Sequence, residues 1–406
     1  MNALKRIFPL LTVLFLGYLG FSLALPLFPP LFLDANYPFL PLNTSTETRR
    51  ILLGLLFTMY PLGQLIGAPL LGKWSDKYGR RPVILLSLIV VIPAYIGSAL
   101  ALFYTMPILL FISRFFSGLL EGNIVIAQAA IADVSQDSHT KTKNFGWLVS
   151  LSSTAFFFGP LIGGKLADST TVSWFHYDTP FWCAALLSLI GFIVVATMFQ
   201  ETHRPDSSIK ISLKSLASTI TESFKYPGLR PLLIANLCFF LALFFFLNFF
   251  SAYLVSVYNF SPSRLGEVNA YLAIPVILGP LFFGKLTKKW TIKKATQMGA
   301  LLLGLSYLIF IVPAPPWALF FTLIPIGFFM AIGLAFPAIL VSDAVNARFQ
   351  GQALGTNQAI QVSAEALTAL IGGFSMAWIS SMPIVNGILF SFLGVWLLIR
   401  YKPKVI

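Results

Sequence analysis

Three ionisable residues stand inside long apolar stretches: Arg114, Glu121 and Glu365. An Arg or Glu near the centre of a bilayer costs at least about 2.5–3.5 kcal/mol, so these side chains are expected to face a wet cavity or a partner charge rather than lipid. At 100° per residue, Arg114, Gly118, Glu121, Val125 and Gln128 fall within about 40° of one line along a helix. Gln358, Gln361 and Glu365 likewise share one face of a later segment. A desolvated carboxyl group near an arginine can be tuned to load and release a proton, and that is the chemistry this pattern offers. The alternative is structural, with each Glu a hydrogen-bond or salt-bridge member and Arg114 holding Glu121 from two turns away. Asn123 points away from the Arg114 stripe. Asn236, Asn248 and Asn269 would line a cavity or, as is commoner, bond neighbouring helices. No metal site is expected, since His139, His176 and His203 fall in loops without ligand spacing. Cys183 and Cys238 sit inside apolar runs and read as free thiols that behave as small apolar residues.

The elements that position these residues follow from composition. Of the 406 residues, 57% are hydrophobic and 10% charged, against about 25% charged in a soluble domain. The apolar runs are near 20 residues long, which predicts membrane-spanning helices rather than a barrel. The first run is too long for a signal sequence and lacks a small-residue cleavage site, so it is read as a span. We place about twelve spans, at 7–33, 51–72, 82–103, 107–130, 145–166, 180–199, 231–257, 265–286, 295–313, 317–340, 352–378 and 383–400. The formal charge of +13 is then a matter of topology and not of nucleic-acid binding. Alternate connections carry the cations, from Lys5 and Arg6 to Arg400, Lys402 and Lys404, which predicts that both termini are cytoplasmic. Arg49 and Arg50 are the exception on the outer side, where they are expected to snorkel to headgroups. Asn43-Thr44-Ser45 matches a glycosylation sequon too short to carry weight. Residues 201–230 form the longest interior link, mildly amphipathic through Ile211, Leu213, Leu216 and Ile220. It divides the chain into an N-terminal half, 1–200, and a C-terminal half, 231–406, of six spans each.

Between the second and third spans lies Gly72-Lys73-Trp74-Ser75-Asp76-Lys77-Tyr78-Gly79-Arg80-Arg81, a charged elbow. A shift of 212 positions lays Gly72-Lys73 on Gly284-Lys285 and Arg81 on Lys293. Asp76 then falls on Lys288, so the second elbow keeps its cations and lacks the carboxylate. Ala132-Asp133 has a similar counterpart in Ser342-Asp343. Duplicated six-helix halves are how many secondary transporters are built, with a site near the midplane where the halves meet.

Twelve spans in two sixes with this elbow resemble the major facilitator superfamily, whose signature of Gly, three residues, Asp, two residues, Gly, Arg and Lys or Arg is filled at Gly72, Asp76, Gly79, Arg80 and Arg81. The resemblance implies an all-α membrane fold and a conformational gate at Asp76 that latches onto the other half. Topology alone is the lesser reading of these charges. Gly159-Pro160-Leu161-Ile162-Gly163-Gly164 in the fifth span looks like the antiporter signature of the drug:proton branch; simple helix packing is the alternative. Ile371-Gly372-Gly373 in the eleventh span lacks the proline. Arg114 and Gly118 are similar to a pattern assigned in that branch to proton transfer. Pro26, Pro29 and Pro30 resemble the Pro-rich end of its first helix and would bend it. The first span lacks the membrane carboxylate that several polyspecific exporters carry, which argues against broad cationic-drug specificity.

The expected function is proton-coupled efflux of a small organic solute by alternating access. Uptake by symport of a metabolite or metal-chelating siderophore is the second transport reading. A non-transporting receptor with the same fold is the alternative from another class, and buried ionisable groups argue against it. Nothing in the sequence resembles a Walker loop, so ATP is not the expected driver; a proton gradient is expected to drive transport, no cofactor is expected, and an enzyme is not the reading these residues favour. The resemblance and the short loops lead us to expect a monomer in a bacterial inner membrane, with the solute, protons and lipid as its partners.

Overall fold

In the computed structural model the described residues are 3–35, 37–121, 123–135, 138–206 and 229–401; they form helices and short connections, with no strand among them. In chain order the helices are α1 (Ala3–Leu23), α2 (Phe28–Leu33), α3 (Thr46–Tyr78), α4 (Arg80–Phe103), α5 (Pro107–Leu120), α6 (Asn123–Asp133), α7 (Ser138–Leu166), α8 (Thr179–Met198), α9 (Arg230–Tyr258), α10 (Pro262–Leu278), α11 (Pro280–Lys289), α12 (Ile292–Phe310), α13 (Leu319–Asp343), α14 (Ala347–Trp378) and α15 (Met382–Arg400). Ten segments are long and apolar enough to cross a membrane, and the bent pair α10 and α11 makes an eleventh. The twelfth expected span is α12, whose first two turns carry Lys293, Lys294 and Gln297 and lower its hydropathy. Of the link 201–230, residues 207–228 lie outside the described residues, as do Lys402 and Lys404.

The breaks have local causes. α1 gives way to α2 across residues 24–27, where Pro26 withdraws a backbone donor, as do Pro29 and Pro30 in the first turn of α2. α10 and α11 meet at 43° where Pro280 follows Gly279. The fourth span is interrupted at Glu121, so α5 and α6 are two helices within one crossing. The elbow differs from the broad turn that its charges suggest. α3 runs on to Tyr78 and α4 starts at Arg80, so the whole reversal falls on Gly79, at φ +101°. Only glycine adopts that backbone without strain.

The chain divides into two compact units. One comprises Met1–Thr44, Met59–Ser212 and Phe260–Asn269; the other comprises Ser45–Thr58, Leu213–Asn259 and Ala270–Ile406. Each therefore contains one short piece of the other sequence half. In the first, Ile7, Leu10 and Leu14 of α1 pack with Ile84 and Leu88 of α4, Ile126 and Ile131 of α6, and Val195 of α8. In the second, the aromatic run of α9 is core: Phe246 stacks on Tyr307 at 4.6 Å and on Phe250 at 5.1 Å, and Phe245 stacks on Phe390 at 5.8 Å. Lipid tails are as apolar as these side chains, so no hydrophobic drive pulls the helices together in a bilayer and close van der Waals packing is what holds them.

Candidate functional site

Glu121 ends α5 at the break in the fourth span, with 2% of its surface exposed. Both carboxylate oxygens are occupied: the Tyr60 hydroxyl of α3 donates to Oε2 and the Tyr95 hydroxyl of α4 donates to Oε1. Close backbone approach brings Tyr60 there. A Cβ on Gly118 would overlap the Tyr60 carbonyl, and one on Gly63 would overlap Phe115 of α5. Larger residues at those positions would separate the two helices and lift the hydroxyl off the carboxylate.

Arg114, two turns earlier, is equally buried at 2%. Among the described residues it forms no ion pair within 4.0 Å, with Glu121 or any other carboxylate. Its guanidinium lies instead over three aromatic rings: Tyr60 at 5.2 Å, Phe28 at 5.6 Å and Phe181 at 5.9 Å. Cation–π contacts of this kind are worth about 2 kcal/mol or more when desolvated. Nη1 is left without a hydrogen-bond partner. The structural alternative in which Arg114 holds Glu121 directly is therefore not what the geometry shows. Tyr60 stands between the two, with its hydroxyl on one charge and its ring against the other. Further along the same span, Gln128 is half-buried on α6 and Val125 is exposed. Asn123 is buried with its side-chain oxygen unpaired.

In the other unit, Glu365 is half-buried on α14, with Gln361 half-buried and Gln358 exposed one and two turns before it. The Glu365 backbone carbonyl takes bonds from Thr368 Oγ1 at 3.0 Å and Asn248 Nδ2 at 3.4 Å. Its carboxylate has no hydrogen-bond or ion-pair partner among the described residues. The other asparagines bond helix to helix or within one helix. Asn236 donates to Asn357 and to the Pro337 carbonyl, and Asn269 donates to Leu265.

At the elbow, Arg80 is the centre. Its guanidinium donates to Asp76 Oδ1 and Ser75 Oγ, both at 2.6 Å, and to Asp133 Oδ2 at 3.0 Å. Glu201 closes the start of α4 by accepting the backbone N–H groups of Arg80 and Arg81, both at 2.9 Å. Burial pushes its carboxyl up, but the N–H groups of His203, Arg81, Arg80 and Thr202 together hold it below the ordinary carboxylate value. Arg81 donates to the Ala196 carbonyl of α8 at 2.7 Å. Around Gly72 there is open space.

The glycines of the fifth-span motif are contact points. Cβ atoms on Gly159 and Gly163 would collide with Ser22 and Leu23 at the end of α1, and one on Gly164 would collide with Pro262 of α10. Pro160 lies under Gly266. Beside them, Lys165 bonds Glu267 at 2.7 Å, and Arg264 bonds its other oxygen at 3.0 Å. Arg49 and Arg50 do not snorkel. Arg49 is 2% exposed, and Arg50 donates to the Met376 carbonyl of α14 at 3.1 Å. For Arg50 the Met376 carbonyl takes the place that a headgroup was expected to fill.

Tyr60, Tyr95, Asp133 and Glu201 are the site residues that sequence reasoning did not assign. Asp133 had a signal, its repeat at Asp343. A tyrosine in an apolar helix had none.

A sequence model of the Major Facilitator Superfamily matches residues 10–369. The chain is 28% identical to the tetracycline resistance protein, class B, of Escherichia coli over 407 residues, covering 95% of this chain and 91% of that protein. It is 27% identical to the quinolone resistance protein NorA of Staphylococcus aureus over 279 residues, 68% of this chain and 65% of the relative. Among solved structures it is similar to a D-xylose-proton symporter, with a TM-score of 0.75 at 16% identity, covering 99% of this chain and 98% of that one. The human organic anion transporter MFSD10 (TETRAN) gives 0.72 at 19% identity, covering 98% and 100%. At those identities the solved structures speak for the fold alone.

Proposed function

The chain belongs to the major facilitator superfamily of multi-pass membrane transporters, and we propose that it exports a small organic solute in exchange for protons. The observation that carries this reading is Glu121, a buried carboxylate held by two tyrosine hydroxyls with no cation at ion-pair distance. A salt-bridged carboxylate would stay ionised; one bonded to neutral hydroxyls can take up a proton without stranding a partner charge. Arg114, supported on aromatic rings, then supplies a fixed positive charge that makes proton release from Glu121 favourable when the site is rewetted. Glu365, with its carboxylate unpaired, is the corresponding group of the C-terminal half and acts on substrate affinity or its pH dependence.

The Arg80 cluster is the switch. Asp76, with 40% of its side chain accessible against 25% for Asp133, exchanges Arg80 for other partners during the cycle, while Asp133 keeps the arginine compensated. The Gly159-Pro160 segment and its seat on α1 favour export over uptake, as does similarity to tetracycline and quinolone resistance proteins. The protein acts as a monomer in a bacterial inner membrane with both termini in the cytoplasm.

The test is thermal stabilisation of the purified protein by a solute library that includes tetracycline and a quinolone, followed by pH-jump transport in liposomes. Efflux-direction movement coupled to opposing proton flux is expected. Solute movement unaffected by the pH gradient would overturn the reading.

A further inference from the structure

Both elbows are rich in cations in the sequence, and only the first carries a carboxylate among them; they differ accordingly in how the structure neutralises them. At the first, Asp76 and Asp133 both bond Arg80, and Glu201 caps the helix start. At the second, Lys285, Lys288 and Lys289 of α11 and Lys293 and Lys294 of α12 have no carboxylate within ion-pair distance among the described residues. Asp343, the counterpart of Asp133, is exposed and pairs with none of them. A sixth cation joins them. Lys293 donates to the Tyr401 carbonyl at 2.5 Å, which draws the end of α15, and with it Arg400, to the same place.

α11 has no buried residue. Phe283 and Leu286 lean on the small cluster around Ala295, Ile332 and Phe336. At 100° per residue, Leu281, Lys285 and Lys288 share the opposite face, and Phe282 and Lys289 lie beside it. Leu281 is 74% exposed. Read along the helix, this outer face is apolar for its first turn and cationic afterwards. Such an order suits a helix that leaves the hydrocarbon and passes through the headgroup layer.

We infer that the second elbow is a binding site for an anionic phospholipid headgroup, with Lys285, Lys288 and Lys289 on its phosphate and Leu281 and Phe282 against its acyl chains. Charge complementarity selects the occupant: uncompensated cations at the end of a span attract anionic lipid by about 1 kcal/mol each, and zwitterionic lipid offers no net charge to match them. The negative charge that a carboxylate supplies at the first elbow is thereby supplied at the second by a lipid phosphate. The site shares no residue with that of Glu121 and Arg114, and its test does not depend on the direction or identity of transport.

The test is binding of fluorescent phosphatidylglycerol to the full-length protein in detergent, and thermal stability in phosphatidylglycerol–phosphatidylcholine vesicles against phosphatidylcholine alone. Replacing Lys285, Lys288 and Lys289 together by Gln should weaken phosphatidylglycerol binding by at least about tenfold and remove the extra stability. Replacing the same three by Arg should retain both. Lys73→Gln with Lys77→Gln at the first elbow should leave them unchanged. For the wild-type protein, added salt should release the lipid, a readout that holds even if the triple Gln variant fails to fold. Equal losses from both elbows, competition by inorganic phosphate at equal concentration, or equal stabilisation by phosphatidylcholine would each overturn the inference.

Discussion

Tyr60 touches both charged groups of the fourth span: its hydroxyl donates to Glu121 and its ring lies 5.2 Å from the Arg114 guanidinium carbon. The pair is coupled through a neutral residue from another helix rather than by direct contact. Tyr60→Phe keeps the ring and removes the donor. A hydrogen bond to a charged group is worth about 1.5–3 kcal/mol, so the pH midpoint of proton-driven transport should move by about one unit or more. Tyr60→Leu, which also strips a ring from Arg114, should cost further stability. A Phe variant with an unchanged pH profile would show that the hydroxyl does not set the proton affinity of Glu121.

Arg80 is held by two carboxylates, and its side chain is only 8% exposed. Removing one leaves the other, so Asp76→Asn and Asp133→Asn should each cost about 1 kcal/mol. The double variant leaves a buried uncompensated cation and should cost about 3–5 kcal/mol, well beyond the sum. Thermal unfolding of the four proteins reads the coupling. Simple additivity would mean that Arg80 finds another partner. Asp76→Asn alone should also slow turnover without abolishing solute binding.

The two glycines of the elbow motif should behave differently. Gly79 sits at φ +101°, and a Cβ there would lie 2.6 Å from Glu201 Oε2. Gly79→Ala should therefore destabilise by about 1–2 kcal/mol or more. Around Gly72 nothing lies within 4 Å, and Gly72→Ala in a helix interior should be neutral or stabilising by up to about 1 kcal/mol. A large loss of stability at Gly72 would contradict the packing described; a loss of turnover at unchanged stability would assign its role to another step of the transport cycle.

Glu201 gives a pH signature outside the membrane segments. Its folded carboxyl is held below the ordinary value by backbone N–H groups, so its stabilisation is fully present above the unfolded pKa of about 4.3 and disappears as pH falls through the lower folded value. The group is largely exposed, and solvent screening limits the effect to about 1 kcal/mol. Glu201→Gln should lower the melting temperature at pH 7, and the gap to the wild-type protein should close below about pH 4. A gap independent of pH would mean that shape, not charge, caps the start of α4.

What was legible in the sequence was whatever a single helix reveals. Apolar runs of bilayer length gave the spans, and Arg114, Glu121 and Glu365 stood out because charge inside such runs is costly. The elbow motif and the fifth-span glycines were legible from their spacing. What remained hidden depends on helices meeting. Tyr60 and Tyr95 lie 61 and 26 positions from Glu121, and nothing in an apolar helix marks a tyrosine whose hydroxyl will find a carboxylate. The reversal at one residue, Gly79, was hidden too, because charges that look like a loop can sit on helix ends.

The most direct measurement compares wild-type and Glu121→Gln proteins in proteoliposomes, following movement of the solute that best stabilises the purified protein under an imposed pH gradient. If Glu121 carries the coupled proton, the variant inserts, binds the solute and exchanges it across the membrane, but no longer accumulates it against its gradient. Accumulation at the wild-type level by Glu121→Gln would contradict the account.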